Sequence, residues 1–481
     1  MKPLPFYEDS GCSTVIVGKK VSATGHVLVA HNEDDPNCYI QCHLVPRMKH
    51  SPEETITFPD GTAVIPQVEE TWALYWTEYR ALNGMPFADG FFNEWGVSVV
   101  SNGCNGSRSP IPGPQAGGIG YGLRRLIAER ATSARHGVEV ACALLDQFGY
   151  RSARSYTISD KDEAWVLQVA AGHNYVARRV GDDEILYIPN WYTIHQVDFS
   201  DTQHRNFYWS KDLVNFALEN GYYTPAVAGD YSDFDFALAY QDPKGYTGTN
   251  ISRNALAWPA LVGRSIPQCT FSVKAERTYA PPELMAFLRL HAQDKEPGRS
   301  PHFFDFNCGI CWTTSVESTV IEFAEDPALT CIWRTTCRPC TSPFVPWYMG
   351  MTAIPEGYES IEHAAALASH FLVGASELRT DDRLAFWAFH TLQNVRELNL
   401  SFAPELTREG LEQLEGEWAA TKPAMDEAYR RLAPVNSAAA RALLTDYTAA
   451  QARKAWRWAQ ATTQAILDKN DAINVYPYLH Q

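Results

Sequence analysis

Ser10-Gly11-Cys12-Ser13-Thr14-Val15-Ile16-Val17 is the stretch on which the reading turns. A cysteine stands directly before a run of β-branched residues, the composition of a strand. Gly25-His26 and then Val27-Leu28-Val29-Ala30 follow, and the two runs read as a hairpin. Gly11 has no Cβ, so the backbone there lets the Cys12 thiol reach the carbonyl that precedes it. An acyl shift from nitrogen to sulfur would cut Gly11–Cys12, release residues 1–11 as a leader and give Cys12 a free α-amine. Such an amine titrates near about 8, close enough to neutrality to take the thiol proton and return it to a leaving group. The competing reading of Cys12 is a buried, inert thiol, as most cysteines are.

Composition narrows the class. The chain has 481 residues, 45% of them hydrophobic and 20% charged, so it can bury a large core. A net charge of −16 without any Lys/Arg block excludes the basic stripe of a nucleic-acid binder and an anionic-membrane surface. No apolar run is long enough to span a bilayer, and the first ten residues lack the apolar region of a secretory signal, so a cytoplasmic protein is expected. Eleven scattered cysteines, an odd number, argue for reduced thiols rather than a disulfide scaffold.

The texture of the chain changes once. Strand-like runs recur at Val97-Ser98-Val99-Val100, Ala164-Trp165-Val166-Leu167-Gln168-Val169, Tyr175-Val176-Ala177-Arg178 and Ile185-Leu186-Tyr187-Ile188. Residues 122–130 and 138–148 carry apolar residues at helical spacing, and Pro281-Pro282-Glu283 begins a helix whose prolines fit its first turn. Beyond Pro355-Glu356-Gly357-Tyr358 the pattern is helical, as in 411–421 and 438–469. This divides the chain into a leader (1–11), a layered α+β domain (12–358) and a helical extension (359–481) packed on it.

The opening block, Cys12 to Gly25 followed by Ala30-His31-Asn32-Glu33-Asp34, resembles that of the C69 dipeptidases, which begin with Cys-Thr-Thr and carry an Arg-Asn-Glu-Asp element. Phe87-Ala88-Asp89-Gly90 with Asn93-Glu94-Trp95-Gly96-Val97 is similar to a block of the related choloylglycine hydrolases and penicillin V acylases. Tyr156-Thr157-Ile158-Ser159-Asp160 leading to Gly172-His173, then Phe271-Ser272-Val273-Lys274, then Ser342-Pro343-Phe344-Val345-Pro346-Trp347-Tyr348-Met349-Gly350, continue the resemblance in order to about residue 400.

The resemblance implies the N-terminal-nucleophile (Ntn) fold, a four-layer αββα sandwich, here with a C-terminal helical extension. It implies that Cys12 attacks a small amide, Asp34 orients its amine or thiol, and Asn102 and Asn190 hold the oxyanion. Arg253 matches an arginine that relatives carry past mid-chain. His31 departs from the family's Arg, and a histidine lowers a neighbouring thiol's pKa only when protonated, so activity is expected to depend on pH near neutrality. A dipeptide with a free N-terminus is the implied substrate, with no cofactor, metal, nucleic acid or membrane partner and with a homo-oligomer as the expected assembly.

Other signals carry less. Cys308-Gly309-Ile310-Cys311 and Cys337-Arg338-Pro339-Cys340 have zinc-ribbon spacing but fall where the resemblance places core strands. Gly117-Gly118-Ile119-Gly120 lacks the lysine of a phosphate loop, and no Gly-x-Ser-x-Gly is present. Two rivals stay open: an acylase on N-acyl amines such as penicillin-like or bile-conjugate compounds, and a non-catalytic, secernin-like binding protein.

Overall fold

The computed structural model describes residues 11–35, 38–59, 61–81, 86–104, 108, 117–246, 248–292, 300–302, 309–372 and 380–475, with the side chains of 86–89 and 473–475 outside that set. The leader before Gly11, and Cys308, therefore lie outside the described residues.

Two antiparallel sheets form the centre. The first has seven strands in the order Ser272–Lys274, Glu184–Ile188, Ser13–Val17, Leu28–Asp34, Ser315–Glu322, Cys331–Arg334, Val345–Tyr348. The strand that follows Cys12 thus lies inside the sheet, hydrogen-bonded on both sides, and all five of its residues are buried. A strand covered on both faces has no solvent side to mark, which is why Val15-Ile16-Val17 is a continuous apolar run. The second sheet has eight strands: Phe207–Trp209, Tyr175–Arg179, Ala164–Val169, Arg154–Ser159, Ser98–Gly103, Pro86–Asn93, Leu74–Ala81, Cys38–Val45.

The sheets face each other, and the period-2 geometry of a strand sorts their side chains. Tyr75, Thr77 and Tyr79 of the second sheet meet His31, Glu317, Thr319 and Ile321 of the first around a small internal cavity. Trp76, on the opposite face, joins Trp165 and Leu167 against Leu126, Ile127 and Leu145 of the helices Leu123–Arg130 and Ala134–Phe148. Behind the first sheet lie the helices Gly248–Val262 and Pro281–Leu288. Asn32 points to that side, its amide donating to the carbonyls of Leu288 and Ile310. The result is helix, sheet, sheet, helix, as expected. Pro281 and Pro282 occupy the first turn, and the Glu283 carboxylate accepts the Ala280 N–H.

The last part of the chain is helical: Ala385–Glu397, Ala403–Leu432 and Ser437–Val475. The second and third of these helices pack together, with the Trp418 indole donating to Gln451 at 2.8 Å. They also clasp the edge strand Val345–Tyr348: Tyr348 donates its hydroxyl to Asp426 and its backbone N–H to Thr448. An exposed sheet edge invites pairing with another chain, and helical cover removes it. Among the described residues, no helix is long and apolar enough to cross a membrane.

Candidate active site

Cys12 stands at the end of Ser13–Val17, and the register of its neighbour pairs Ser13 with Asn32 and Thr14 with His31. Continued by one residue, that register sets Cys12 across from Glu33, on the face turned toward the second sheet. A chain of hydrogen bonds results. Cys12 Sγ donates to Glu33 Oε1 at 3.3 Å; Glu33 Oε2 is 3.2 Å from His31 Nε2; His31 Nδ1 is 2.8 Å from Thr14 Oγ1; and Thr14 donates to Asn102 Oδ1 at 2.6 Å. Thr14 has one proton and spends it on Asn102, so His31 Nδ1 must carry the hydrogen toward Thr14. His31 Nε2 is then an acceptor unless the ring is charged, and a proton must lie between it and Glu33. The thiol is thus wired through a carboxyl to an imidazole.

The opposite side of the same strand end is ionic. Arg253, on the helix Gly248–Val262, is wholly buried. One of its terminal nitrogens donates to the Gly11 carbonyl oxygen and the other to the Asp34 carboxylate. The first also lies 3.4 Å from Asn190 Oδ1. Ser315 donates its hydroxyl to Asp34 from a strand whose register is broken between Ser315 and Glu317, an irregularity of the kind that re-aims a side chain. Burial raises the Asp34 carboxyl above its ordinary value, with Arg253 and Ser315 opposing.

Gly11 fits here for a steric reason. A Cβ at this position would come within 2.3 Å of the Asn190 side chain. Asn190 cannot easily yield, because its amide donates to the Gly103 carbonyl at 3.0 Å and its backbone N–H to Asn250 at 3.3 Å. Gly11→Ala is expected to displace the Gly11 carbonyl from Arg253 and slow cleavage of Gly11–Cys12 by roughly a hundredfold, the scale set by misplacement of about 1 Å. A time course of intact mass after synthesis measures this, and release at the wild-type rate would contradict it.

Burial pushes Cys12 up to about 11, Asp34 adding to the shift and Arg154 opposing it. Arg154 and Arg124 both donate to Ser101 Oγ, at 2.9 and 3.3 Å. They stand close enough to act on Cys12 and on Asp35, whose carboxyl burial raises to about 6.

Burial lowers His31 to about 4, so it is neutral at pH 7 and does not titrate near neutrality. A histidine whose folded value lies below the unfolded one, about 6.5, binds fewer protons folded than unfolded between the two. Its contribution to stability is complete above pH 6.5 and is lost as pH falls toward 4. His31→Gln is expected to remove up to about 3 kcal/mol of acid-dependent stability over that window. Urea unfolding of both chains at pH 7 and pH 4.5 checks this, and equal pH slopes would refute it.

The expected residues therefore separate. Cys12, Asp34, Asn190 and Arg253 gather around the Gly11–Cys12 bond, with His31 two hydrogen bonds from the thiol, through Glu33. Asn102 belongs to the tie between the sheets, since its amide donates to the Ile188 carbonyl at 3.2 Å while its oxygen takes the Thr14 proton. Sequence reasoning missed Glu33, Ser315, Arg124 and Arg154. Glu33 had a signal: it shares a strand face with His31. The two CxxC pairs do not converge as four thiols, because Cys337 directs its sulfur at the Phe386 carbonyl, 3.9 Å away.

The family model Peptidase family C69 matches residues 11–258, beginning at the glycine that precedes the thiol. A dipeptidase of Bifidobacterium longum is 26% identical over 278 residues, covering 49% of this chain and 49% of the relative. Dipeptidase A of Lactobacillus helveticus is 26% identical over 215 residues, covering 42% and 44%. The aligned part of the chain spans about half the length of the curated relatives it matches. Among solved structures, penicillin V acylase from Agrobacterium tumefaciens aligns with 70% of this chain and 86% of its own at 13% identity, with a TM-score of 0.35.

Proposed function

This chain belongs to peptidase family C69, and on that premise we propose that it is a cysteine Ntn hydrolase that frees its own Cys12 and then cleaves small peptides, dipeptides foremost. The observation that carries the reading is the placement of the Gly11 carbonyl oxygen on Arg253, beside a thiol hydrogen-bonded to Glu33.

In the first reaction Cys12 Sγ adds to the Gly11 carbonyl carbon. The thiol proton passes to Glu33 Oε1 as the proton on Glu33 Oε2 passes to His31 Nε2, and Arg253 faces the oxygen as it becomes negative, the position where a fixed donor lowers a barrier most. The Gly11–Cys12 C–N bond breaks, the nitrogen takes a proton, and Gly11 is left on sulfur as a thioester. Water hydrolyses the thioester, releasing residues 1–11 and leaving Cys12 with a free α-amine. The mature chain then consists of the sandwich (12–358) and the helical extension (359–481).

The second reaction reuses the first site. A substrate carbonyl takes the place of the Gly11 carbonyl, against Arg253 and Asn190. The α-amine accepts the thiol proton and delivers it to the departing amine, a task suited to a group titrating near about 8. Asp34, fixed by Arg253 and Ser315, supports the new ammonium.

The test has two arms. Intact mass should be lower by residues 1–11, and dipeptides with free N-termini should be turned over faster than the same dipeptides N-acetylated. Preference for the acylated compounds would move the assignment to an acylase. A full-length mass with no turnover of either would leave a binding protein.

A further inference from the structure

We propose that His291, His302, Cys311 and Cys340 form a closed structural site for a zinc-class divalent cation, with Glu397 orienting His302. The proposal is independent of the hydrolytic reading. It departs from the expectation of a metal-free protein, and it uses one cysteine from each CxxC pair instead of all four.

Four ligand atoms, one from each residue, lie within 4.8 Å of one another. His302 Nε2 is 3.1 Å from His291 Nε2, 3.6 Å from Cys311 Sγ and 3.8 Å from Cys340 Sγ. Nitrogen and sulfur atoms placed tetrahedrally at zinc distances are themselves about 3.3–3.8 Å apart. The spacing is therefore that of a ligand set.

The thiols and His291 also meet one another, Cys340 hydrogen-bonding with both Cys311 and His291, so every donor of the cluster points to one centre. His302 Nδ1 faces the Glu397 carboxylate, which also accepts from Ser300 and, at 3.4 Å, from Arg338. An Nδ1–H donated to a carboxylate leaves Nε2 as a lone pair. Three groups converge on that single lone pair, of which only one can donate to it. A central cation employs all four donors at once, and the carboxylate behind the imidazole is the usual partner of a metal-bound histidine. Two thiolates and a divalent ion would sum to zero charge, which suits a site where His302 and Cys311 are buried. The Cys2His2 composition selects zinc over calcium or magnesium, and four protein ligands leave no open position for chemistry.

The site joins parts that are distant in sequence. His291 follows the helix Pro281–Leu288; the Cys311 N–H donates to the Leu290 carbonyl at 2.9 Å; and a Cβ on Gly309 would collide with the His291 backbone at 2.6 Å. Glu397 ends a helix of the C-terminal part. Trp312, next to Cys311, places its ring 5.1 Å from the Arg253 guanidinium. The cation would fasten these segments at the wall behind Arg253, and Glu397 on His302 would tie the extension to them.

Full-length protein expressed with zinc in the medium and dialysed against buffer should hold about one zinc per chain by elemental analysis. Cys340→Ser should fall below about a tenth of that, while Cys12→Ala keeps it. Glu397→Gln should bind zinc roughly 10–100-fold more weakly in competition with a chromophoric chelator. Should Cys340→Ser fail to fold, Cys340→His is the second variant. It should retain the metal, but after cobalt exchange it should show a weaker sulfur-to-cobalt charge-transfer band than wild type. Wild-type protein without zinc, zinc unchanged in Cys340→Ser, or a Cys311–Cys340 disulfide by non-reducing peptide mass would each overturn the proposal.

Discussion

Cys12→Ala protein is expected to keep its first eleven residues and to hydrolyse dipeptides roughly 10⁴-fold or more slowly than wild type, the scale seen when a covalent nucleophile is removed. Both losses follow from one atom. In the proposed mechanism the sulfur is the attacking group in processing and in turnover, with its proton going to Glu33 in the first and to the α-amine in the second. The substitution removes little packing volume, so the fold should survive: Cys12 is buried, and a thiol changed to a methyl group leaves only a small void. A second form of the protein, from which an external protease removes residues 1–11, separates the two roles. There Cys12→Ala should have a free N-terminus and remain inactive. Activity in that protein would mean that the thiol is not the nucleophile.

The second large effect is at Arg253. Arg253→Met keeps a similar length but removes the donor to the Gly11 carbonyl and the cation beside Asp34. Breaking a buried ion pair on one side leaves a carboxylate without its partner and costs about 3–5 kcal/mol. Loss of an oxyanion donor costs a further 3–4 kcal/mol of barrier, roughly 10²–10³ in rate. The variant should therefore unfold at lower urea and process slowly even where it is folded. Arg253→Lys tests the geometry: one ammonium cannot divide itself between two acceptors as the guanidinium fork does. It should recover part of the stability and little of the rate. Full recovery of both would show that charge alone matters at this position.

Much of this was readable in the chain, for physical reasons that vary from place to place. The strands Ser13–Val17, Ala164–Val169 and Glu184–Ile188 announce themselves because β-branched and aromatic residues crowd into short runs between turns. The family resemblance named Cys12, Asp34, Asn190 and Arg253 as candidates, and the structure brings these four together around the Gly11 carbonyl. Asn102, expected at the oxyanion, has its amide on the Ile188 carbonyl here, a placement that a strand-end asparagine does not reveal in the sequence. Glu33 was hidden beside Asp34, since adjacent strand residues face opposite ways and only the pairing shows which meets the thiol. The set His291, His302, Cys311 and Cys340 has no compact motif, because its four ligands come from four separate places along the chain.

The strand order also sets a clock. Ser13–Val17 is among the first segments made, yet one of its neighbours is Glu184–Ile188, and its cleavage apparatus needs Arg253 and, through Asp34, Ser315. Roughly 300 residues separate Gly11 from Ser315, which at ribosomal speed takes about 15–60 s to synthesise. Under the proposed self-processing, the nascent thiol lacks its oxyanion donor until Arg253 is made and its braced carboxylate until Ser315 is made. On that reading the nucleophile is released only after the pocket that controls it has been built.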